Sequence, residues 1–151
     1  MRGYYGKPAE TAATFTSDGW LKTGDLGEAD GHGRYRMIGR LKDLYRVGGE
    51  NVAPAEVEEI LFQHKAVRLA QVVGVPDKRL GEVTAAFVSA KKGMVLTEVD
   101  VIEWCRVRCA NFKVPRYVSI VEDFDAIGMT ASSKIQKNKL RDYAIELWGL
   151  K

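Results

Sequence analysis

The segment "GRLKDLYRVGGENVAPAEVEE", residues 39–59, decides how this chain is organised. It contains a turn with Arg40, a glycine pair at Gly48-Gly49, and a helix that begins at Pro54. Proline suits the first helical position and glutamates in the first turn favour the helix dipole, so helix-forming rules explain the end of the segment. They do not explain the charged turn or the "GGEN" sequence, which makes these residues candidates for function.

The chain changes character on either side of this segment. Residues 1–38 are rich in glycine and turn residues, and the Asp30–Gly33 turn between alternating segments predicts a hairpin. From residue 54 onward the periodicity predicts the order αββαβα, with helices beginning at 54, 97 and 137 and strands at 67–75, 82–90 and 116–122. This order predicts an α+β fold in which a small open sheet of about three strands is covered by helices.

Composition restricts the class of protein. A chain of 151 residues with 46% apolar and 28% charged residues is typical of one soluble globular domain, or of a small domain that carries part of another. The charge of +3, from 23 basic and 20 acidic residues, is too balanced to indicate nucleic-acid binding. The apolar runs are too short for a transmembrane segment and no signal peptide follows Met1, so a cytoplasmic location is expected.

The two cysteines, Cys105 and Cys109, lie four residues apart in a helical pattern. Both histidines, His32 and His64, are far from them in sequence, so the cysteines are predicted to be buried apolar residues and no metal site is predicted. Free thiols of this kind fit a reducing compartment.

Three polar segments stand out: Thr23-Gly24-Asp25, residues 39–51, and "MTASSKIQKNKLR" at 129–141, which contains Lys134. Each has an ordinary explanation when it is taken alone. Asp25 could form a turn, Gly48-Gly49 could connect two strands of a hairpin, and Lys134 could be a solvated surface charge. The sequence contains no Walker-type phosphate loop, no GxGxxG and no GxSxG.

Taken together and in this order, the three segments resemble motifs of the adenylate-forming enzymes. That superfamily comprises acyl-CoA synthetases, aryl-CoA ligases and the adenylation domains of peptide synthetases. "GWLKTGDLG" at 19–27 is similar to the ribose-binding motif, residues 39–59 to the hinge-and-loop motif, and residues 129–141 to the catalytic-lysine motif. The resemblance covers nearly the whole chain, and "GGENVAPAEVEE" with "KIQKNKLR" favours the fatty-acid CoA ligases among its members.

The resemblance implies a reaction in two steps. A carboxylic acid is first joined to the α-phosphate of ATP, and the acyl group then passes from AMP to the thiol of CoA. Asp25 is implied to bind the ribose hydroxyls and Arg40 to anchor the nucleotide, while Lys134 stabilises charge in the first step. Between the steps the small domain rotates about Lys42.

The second step is implied to use the "GGEN" loop in place of Lys134. Gly48 and Gly49 would lie against the pantetheine of CoA, with Glu50 and Asn51 beside them. Phe112 falls where some relatives stack an aromatic ring on the CoA adenine, and a core phenylalanine explains it equally well.

The resemblance also divides the chain. Residues 1–38 are expected to be the tail of a large N-terminal domain, residues 39–42 the hinge, and residues 43–151 the small mobile domain. The large domain is expected to supply the phosphate loop, the acyl pocket and the residues that bind Mg²⁺ with ATP. The fragment is therefore expected to be inactive alone, with residues 1–38 poorly ordered or paired with a neighbouring chain.

Two alternatives stay open at this level. One is an adenylation enzyme that transfers to a carrier protein, and the other is a non-catalytic binding module of the same fold. The chain also departs from the family pattern at two positions. Gly128 stands where many relatives have a proline, and Ser133 stands where many have a glycine; these changes are expected to reshape the lysine loop without abolishing activity.

Overall fold

The computed structural model describes residues 1–130 and 134–150, and the chain divides into two compact units, Met1–Lys42 and Asp43–Lys151. The boundary between the units falls after Lys42, the residue that the sequence suggests as the hinge. The hinge function itself stays a prediction. Ser133, one of the two departures from the family pattern, lies outside the described residues.

The first unit contains one short helix and one hairpin. Helix α1 spans Pro8–Thr14 with proline in its first turn, strand β1 spans Asp25–Ala29, and strand β2 spans Tyr35–Arg40. The two strands pair antiparallel across the turn predicted at Asp30–Gly33. Every side chain of this unit is exposed or half-buried.

The second unit is built on a mixed five-stranded sheet. Its strands are β3 (Tyr45–Val47), β4 (Glu50–Val52), β5 (Val67–Asp77), β6 (Gly81–Ala90) and β7 (Tyr117–Ile120). The strand order is β4-β3-β6-β5, and β7 pairs in parallel with β6. The β5–β6 hairpin forms the centre of the unit, because its apolar residues are buried over most of their length.

Three helices cover this sheet: α2 (Pro54–Phe62), α3 (Glu98–Arg106) and α4 (Lys137–Leu147). Helices α2 and α4 lie against β5, while α3 lies against α2 and β7. Thr97 caps α3, since its hydroxyl accepts from the Asp100 N–H and the Asp100 carboxylate accepts from the Thr97 N–H. The largest fully buried side chains of the core are Phe87, Phe124, Leu61 and Leu140.

The structure confirms the α+β class and the order αββαβα after residue 54. It adds β3 and β4, which are too short to be recognised by periodicity. Strand β5 continues through Pro76 to Asp77, where the prediction ended it at residue 75. Proline is tolerated there because β5 is the edge strand of the sheet. On the open side of an edge strand, an N–H is not needed to pair with another strand.

Two helix details differ from the prediction. The helical pattern after Thr97 predicts a helix to about residue 110, but α3 ends at Arg106 and a short 3₁₀ helix, Asn111–Lys113, follows it. In α4 the buried residues are Leu140 and Ala144, which lie four residues apart on one stripe. The helical pattern also predicts Tyr143 and Leu147 on the inward face, but their side chains are 38% and 46% exposed.

None of the helices among residues 1–130 and 134–150 is long and apolar enough to cross a membrane.

Candidate functional site

Asp25 and Arg40 form an ion pair across the β1–β2 hairpin. They are partners in the strand register, and Arg40 Nε donates to Asp25 Oδ1 at 3.1 Å. Their side chains are 33% and 43% exposed, so the pair contributes at most about 1 kcal/mol to stability. A pair this weakly stabilising can rearrange when a ligand offers either partner a better hydrogen bond.

A β-bulge decides which residue faces Asp25. From Gly27 to Ala29 the register runs evenly, and Gly27 pairs with Met37. One extra residue in β2, Ile38, then shifts the register so that Leu26 pairs with Gly39. Without this shift Asp25 would face Gly39, so the bulge is what brings Asp25 and Arg40 together.

A pocket of about 310 Å³ opens beside this pair. It is lined by Thr23, Gly24, Arg40, Leu41 and Lys42. A backbone hydrogen bond from Leu41 N to Gly24 O, 2.8 Å long, fixes the two sides of the pocket. Its volume lies at the small end of ligand pockets, and its two cations suit an anionic or hydroxylated ligand. The first unit thus brings together three of the residues predicted to be functional: Asp25, Arg40 and Lys42.

Gly48 and Gly49 form the loop of the β3–β4 hairpin. Val47 pairs with Glu50, so only the two glycines lie between the strands. Their φ angles are +59° and +97°, the left-handed region that a two-residue hairpin turn requires. The two glycines therefore form a hairpin turn, as the first explanation predicts. Their role in binding stays a prediction. A Cβ at Gly49 would meet nothing within 4 Å.

The first strand of the β3–β4 hairpin is held by contact between the Tyr45 side chain and the backbone of β5 at Gly74. Tyr45 is 2% exposed and lies across Gly74, where an added Cβ would come within 2.3 Å of the Tyr45 side chain. The Tyr45 hydroxyl shares a 2.9 Å hydrogen bond with the Thr84 hydroxyl, and burial raises the pKa of Tyr45 above its ordinary value. This anchor fixes the base of the hairpin against β5 and β6.

Glu82 connects the same hairpin to helix α4. One carboxylate oxygen accepts from the Arg46 N–H at 3.0 Å, and the other accepts from Arg141 Nη1 at 2.7 Å. Arg46 Nη2 in turn donates to Gly49 O at 3.3 Å. The "GGEN" loop and the helix that follows the lysine loop are therefore joined through one carboxylate.

Lys134 is exposed, and backbone contacts join its segment to Met129 and Thr130. Met129 and Ile135 form an isolated antiparallel bridge. Next to it, Thr130 N donates to Lys134 O at 2.9 Å, and Lys134 N donates to the Thr130 hydroxyl at 3.1 Å. These contacts fix the backbone of Lys134 at the foot of the loop.

Gly128 precedes this loop and has φ +105°. Proline cannot adopt this angle, so the backbone here takes a course that the proline found in many relatives would not allow. A Cβ would also approach the Lys139 Cβ to 3.0 Å. The Gly128 carbonyl accepts from Gln136 N at 3.1 Å, which joins the foot of the loop to the start of α4.

Phe112 is half-buried in the 3₁₀ helix Asn111–Lys113 and packs against the core. The Lys113 ammonium lies 5.8 Å from the centre of its ring. The ring is thus partly a core residue, and its proposed contact with CoA stays a prediction.

The cysteines have no sign of reactivity. Burial raises the pKa of the Cys105 thiol to about 12 and also raises the pKa of Cys109. Cys105 is buried as predicted, Cys109 is half-buried, and both are free thiols. Among the residues that the structure describes, no cluster of three or more histidine, cysteine or acidic side chains could hold a metal ion.

Comparisons with known proteins match this chain to one family. The family model of the AMP-binding enzyme C-terminal domain matches residues 56–134, slightly more than half of the chain. A CoA ligase from Rhodococcus jostii (strain RHA1), named for an indenyl-propanoyl group, is 49% identical over 142 residues. That alignment covers 94% of this chain and 27% of the relative.

The medium-chain acyl-CoA ligase ACSF2, mitochondrial, of Rattus norvegicus is 43% identical, over 94% of this chain and 23% of the relative. Among solved structures, ATP-bound MatB from Rhodopseudomonas palustris superposes with a TM-score of 0.86 at 35% identity. The superposition covers 97% of this chain and 29% of the MatB chain. The chain therefore spans about a quarter of the length of the curated relatives that it matches.

Proposed function

Because this chain belongs to the family of AMP-binding enzyme C-terminal domains, we propose that it is the C-terminal part of an ATP-dependent ligase that joins a carboxylic acid to CoA. A fatty acid is the favoured substrate class, since a medium-chain acyl-CoA ligase is 43% identical to this chain. The observation that carries the proposal is the Asp25–Arg40 pair beside a small pocket, in the same chain as the exposed Lys134.

The first half-reaction is acyl adenylation. A carboxylate oxygen attacks the α-phosphorus of ATP, a new P–O bond forms, and pyrophosphate leaves. Asp25 accepts hydrogen bonds from the ribose hydroxyls, for which a carboxylate with two acceptor oxygens is suited. Arg40 turns from Asp25 toward the nucleotide. The Lys134 ammonium stabilises negative charge on the carboxylate and the α-phosphate.

The second half-reaction is thioester formation. The CoA thiol attacks the acyl carbonyl, a C–S bond forms, and AMP leaves with the carboxyl oxygen. Gly48 and Gly49 border the pantetheine, since their backbone carries no side chain into the open space beside Gly49. Glu50 and Asn51 follow in β4, and Phe112 stacks on the adenine of CoA.

Between the half-reactions the small domain, residues 43–151, rotates about Lys42. Residues 39–42 form the hinge, and residues 1–38 are the tail of a large N-terminal domain. That domain binds ATP with Mg²⁺ and the acyl group, so the present chain is inactive alone and its residues 1–38 can pair with a second copy. A cytoplasmic location completes the proposal.

The test is the activity of the longer protein that contains this chain, assayed with ATP, CoA and a panel of carboxylic acids. We expect AMP, pyrophosphate and an acyl-CoA, with fatty acids the best substrates. Adenylation followed by transfer to a phosphopantetheine carrier protein, and not to free CoA, would favour the carrier-protein alternative. Absence of carboxylate-dependent pyrophosphate release would favour a non-catalytic binding module.

A further inference from the structure

Lys137 is the first residue of α4 and lies three residues after Lys134. Its ammonium forms an ion pair with Glu58 of α2, donates to Val72 O of β5 at 2.9 Å, and reaches Gln71 Oε1 at 3.5 Å. Three acceptors from two other elements converge on this one cation. An ammonium has three donors, so the contacts match its full capacity.

This ion pair is more enclosed than an ordinary surface pair. The side chains of Lys137 and Glu58 are only 21% and 13% exposed. Glu58 Oε1 also accepts from Val72 N at 2.8 Å, so the carboxylate is itself held by the backbone of β5. Separation of the two partners would leave each charge poorly solvated and without a counter-charge, which is destabilising. The pair therefore favours the closed geometry.

The pair lies next to the foot of the lysine loop. Gln136, adjacent to Lys137, donates its N–H to Gly128 O, and Ile135 forms the bridge with Met129. Lys137 thus fixes the C-terminal side of the loop to α2 and β5, which belong to the core.

We propose that Lys137 is a positioning residue for acyl adenylation. Its half-buried pair with Glu58 holds the foot of the loop, and thereby Lys134, in the geometry that the first half-reaction needs. The inference rests on the proposed function, in which Lys134 acts in adenylation only. A displacement of about 1 Å in a catalytic group is enough to lower a rate about a hundredfold.

Helix α2 also supplies a matched control. Glu56, two residues before Glu58, pairs with Lys113 at 3.1 Å, and the two side chains are 36% and 23% exposed. This pair joins the same helix to residues far from the lysine loop in sequence. Loss of Lys113 therefore removes a similar ion pair without freeing the segment 134–137.

The experiment uses the longer protein and compares Lys137→Met, Lys137→Arg, Lys113→Met and Lys134→Ala. For each variant, kcat and KM for ATP are measured in acyl-AMP formation, together with the rate of transfer from supplied acyl-AMP to CoA and the melting temperature. Lys137→Met should lower kcat of adenylation about ten- to a hundredfold with KM for ATP unchanged. CoA transfer should persist, and Lys137→Arg should restore most of the adenylation rate.

Lys113→Met should leave adenylation within about twofold of the parent, although its melting temperature also falls. The inference is overturned if Lys137→Met slows both half-reactions equally, or slows adenylation no more than Lys113→Met. If Lys137→Met does not fold, Glu58→Gln replaces it, with the same expected selectivity. If Lys134→Ala leaves adenylation intact, the proposed function fails instead, which separates the two outcomes.

Discussion

The two compact units hold their polar side chains in opposite ways. In the first unit no described residue is buried, and Asp25 and Arg40 hold only each other at an exposed hairpin edge. In the second unit the candidate loops rest on well-anchored side chains: the buried Tyr45 lies under the glycine hairpin, and the half-buried Lys137 lies at the foot of the lysine loop. The second unit therefore positions its loops with its own core, whereas the pocket of the first unit is open and locally weak.

This difference matches a division of labour. Under the proposed function the pocket of the first unit binds the nucleotide in both half-reactions, because ATP and AMP share the ribose. A rigidly anchored loop, by contrast, is useful only if its geometry matters for one particular transition state. Substitutions in the first unit should then slow both steps, and substitutions in either loop of the second unit should slow one.

The largest effect is expected for Lys134→Ala in the longer protein. Acyl-AMP formation should fall by about two to three orders of magnitude, as when a preorganised electrostatic group is lost. Transfer from supplied acyl-AMP to CoA should persist. Lys139→Ala, which changes an exposed lysine of α4, serves as the control and should leave both rates near those of the parent. Equal loss of both steps in Lys134→Ala would contradict the one-sided role.

A smaller effect, spread over both steps, is expected for Asp25→Ala. Loss of hydrogen bonds to a charged acceptor costs about 1.5–3 kcal/mol, so each half-reaction should slow at least about tenfold. The same hairpin supplies the control, because Glu28 and Arg36 are also register partners, with an ion pair of 3.6 Å. Glu28→Ala removes a carboxylate of the same hairpin outside the pocket. If ATP and AMP bind Asp25→Ala as tightly as the parent, the ribose assignment is wrong.

The sequence predicted the second unit better than the geometry of its sites. Long apolar strands and the Thr97 cap are local signals, so the αββαβα order could be predicted. The pairing of Asp25 with Arg40 depends on a bulge at Ile38, and no residue type near Ile38 predicts this bulge. Strand register is a property of two segments together, and one extra residue changes every partner beyond it.

Lys137 shows a second limit. In the sequence it is one of several lysines in "KIQKNKLR", and its partners Glu58 and Val72 are more than sixty residues away. Period and composition give no sign that this lysine is enclosed while Lys134 is exposed. Lys137 lies three residues before Leu140, which is fully buried, so helical spacing places the two residues near the same face of α4. This spacing is the only indication in the sequence that Lys137 is enclosed.

The glycine hairpin gives a test that separates backbone strain from ligand binding. Gly49 and Gly93 both have positive φ, +97° and +78°, and a Cβ at either would meet nothing within 4 Å. Leucine at either position should therefore cost a similar amount of strain, roughly 1–2 kcal/mol. Only Gly49→Leu should also slow CoA transfer, by about tenfold, while acyl-AMP formation stays near the parent rate.

Melting temperature and both half-reaction rates are measured for the two variants. Gly49→Asn adds a third point, since asparagine tolerates positive φ better than leucine and should recover part of the stability. A loss of CoA transfer in Gly93→Leu equal to that in Gly49→Leu would make the "GGEN" glycines a turn and nothing more.

The smallest effect concerns pH and compares one aspartate from each unit. The backbone N–H groups of Leu80 and Arg79 lower the pKa of Asp77 below its ordinary value, and the N–H of His32, with other donors, does the same for Asp30. A lowered folded-state pKa stabilises the fold fully above the unfolded value, and that stability is lost as pH falls through the folded pKa. Both aspartates thus contribute at neutral pH and lose their contribution in acid.

Protonation of the two aspartates should destabilise different parts of the molecule. Asp77 ends β5 in the unit that has the core, so its titration should change the melting temperature of that unit. Asp30 lies in a turn of the first unit, where no described side chain is buried, so its titration should affect only the local hairpin. Asp77→Asn should lower the melting temperature at about pH 7 and differ less from the parent near about pH 3, while Asp30→Asn should match the parent at both. Equal shifts from the two variants would mean that the first unit is thermally coupled to the second, and that its exposed pocket is supported by more than its own hairpin.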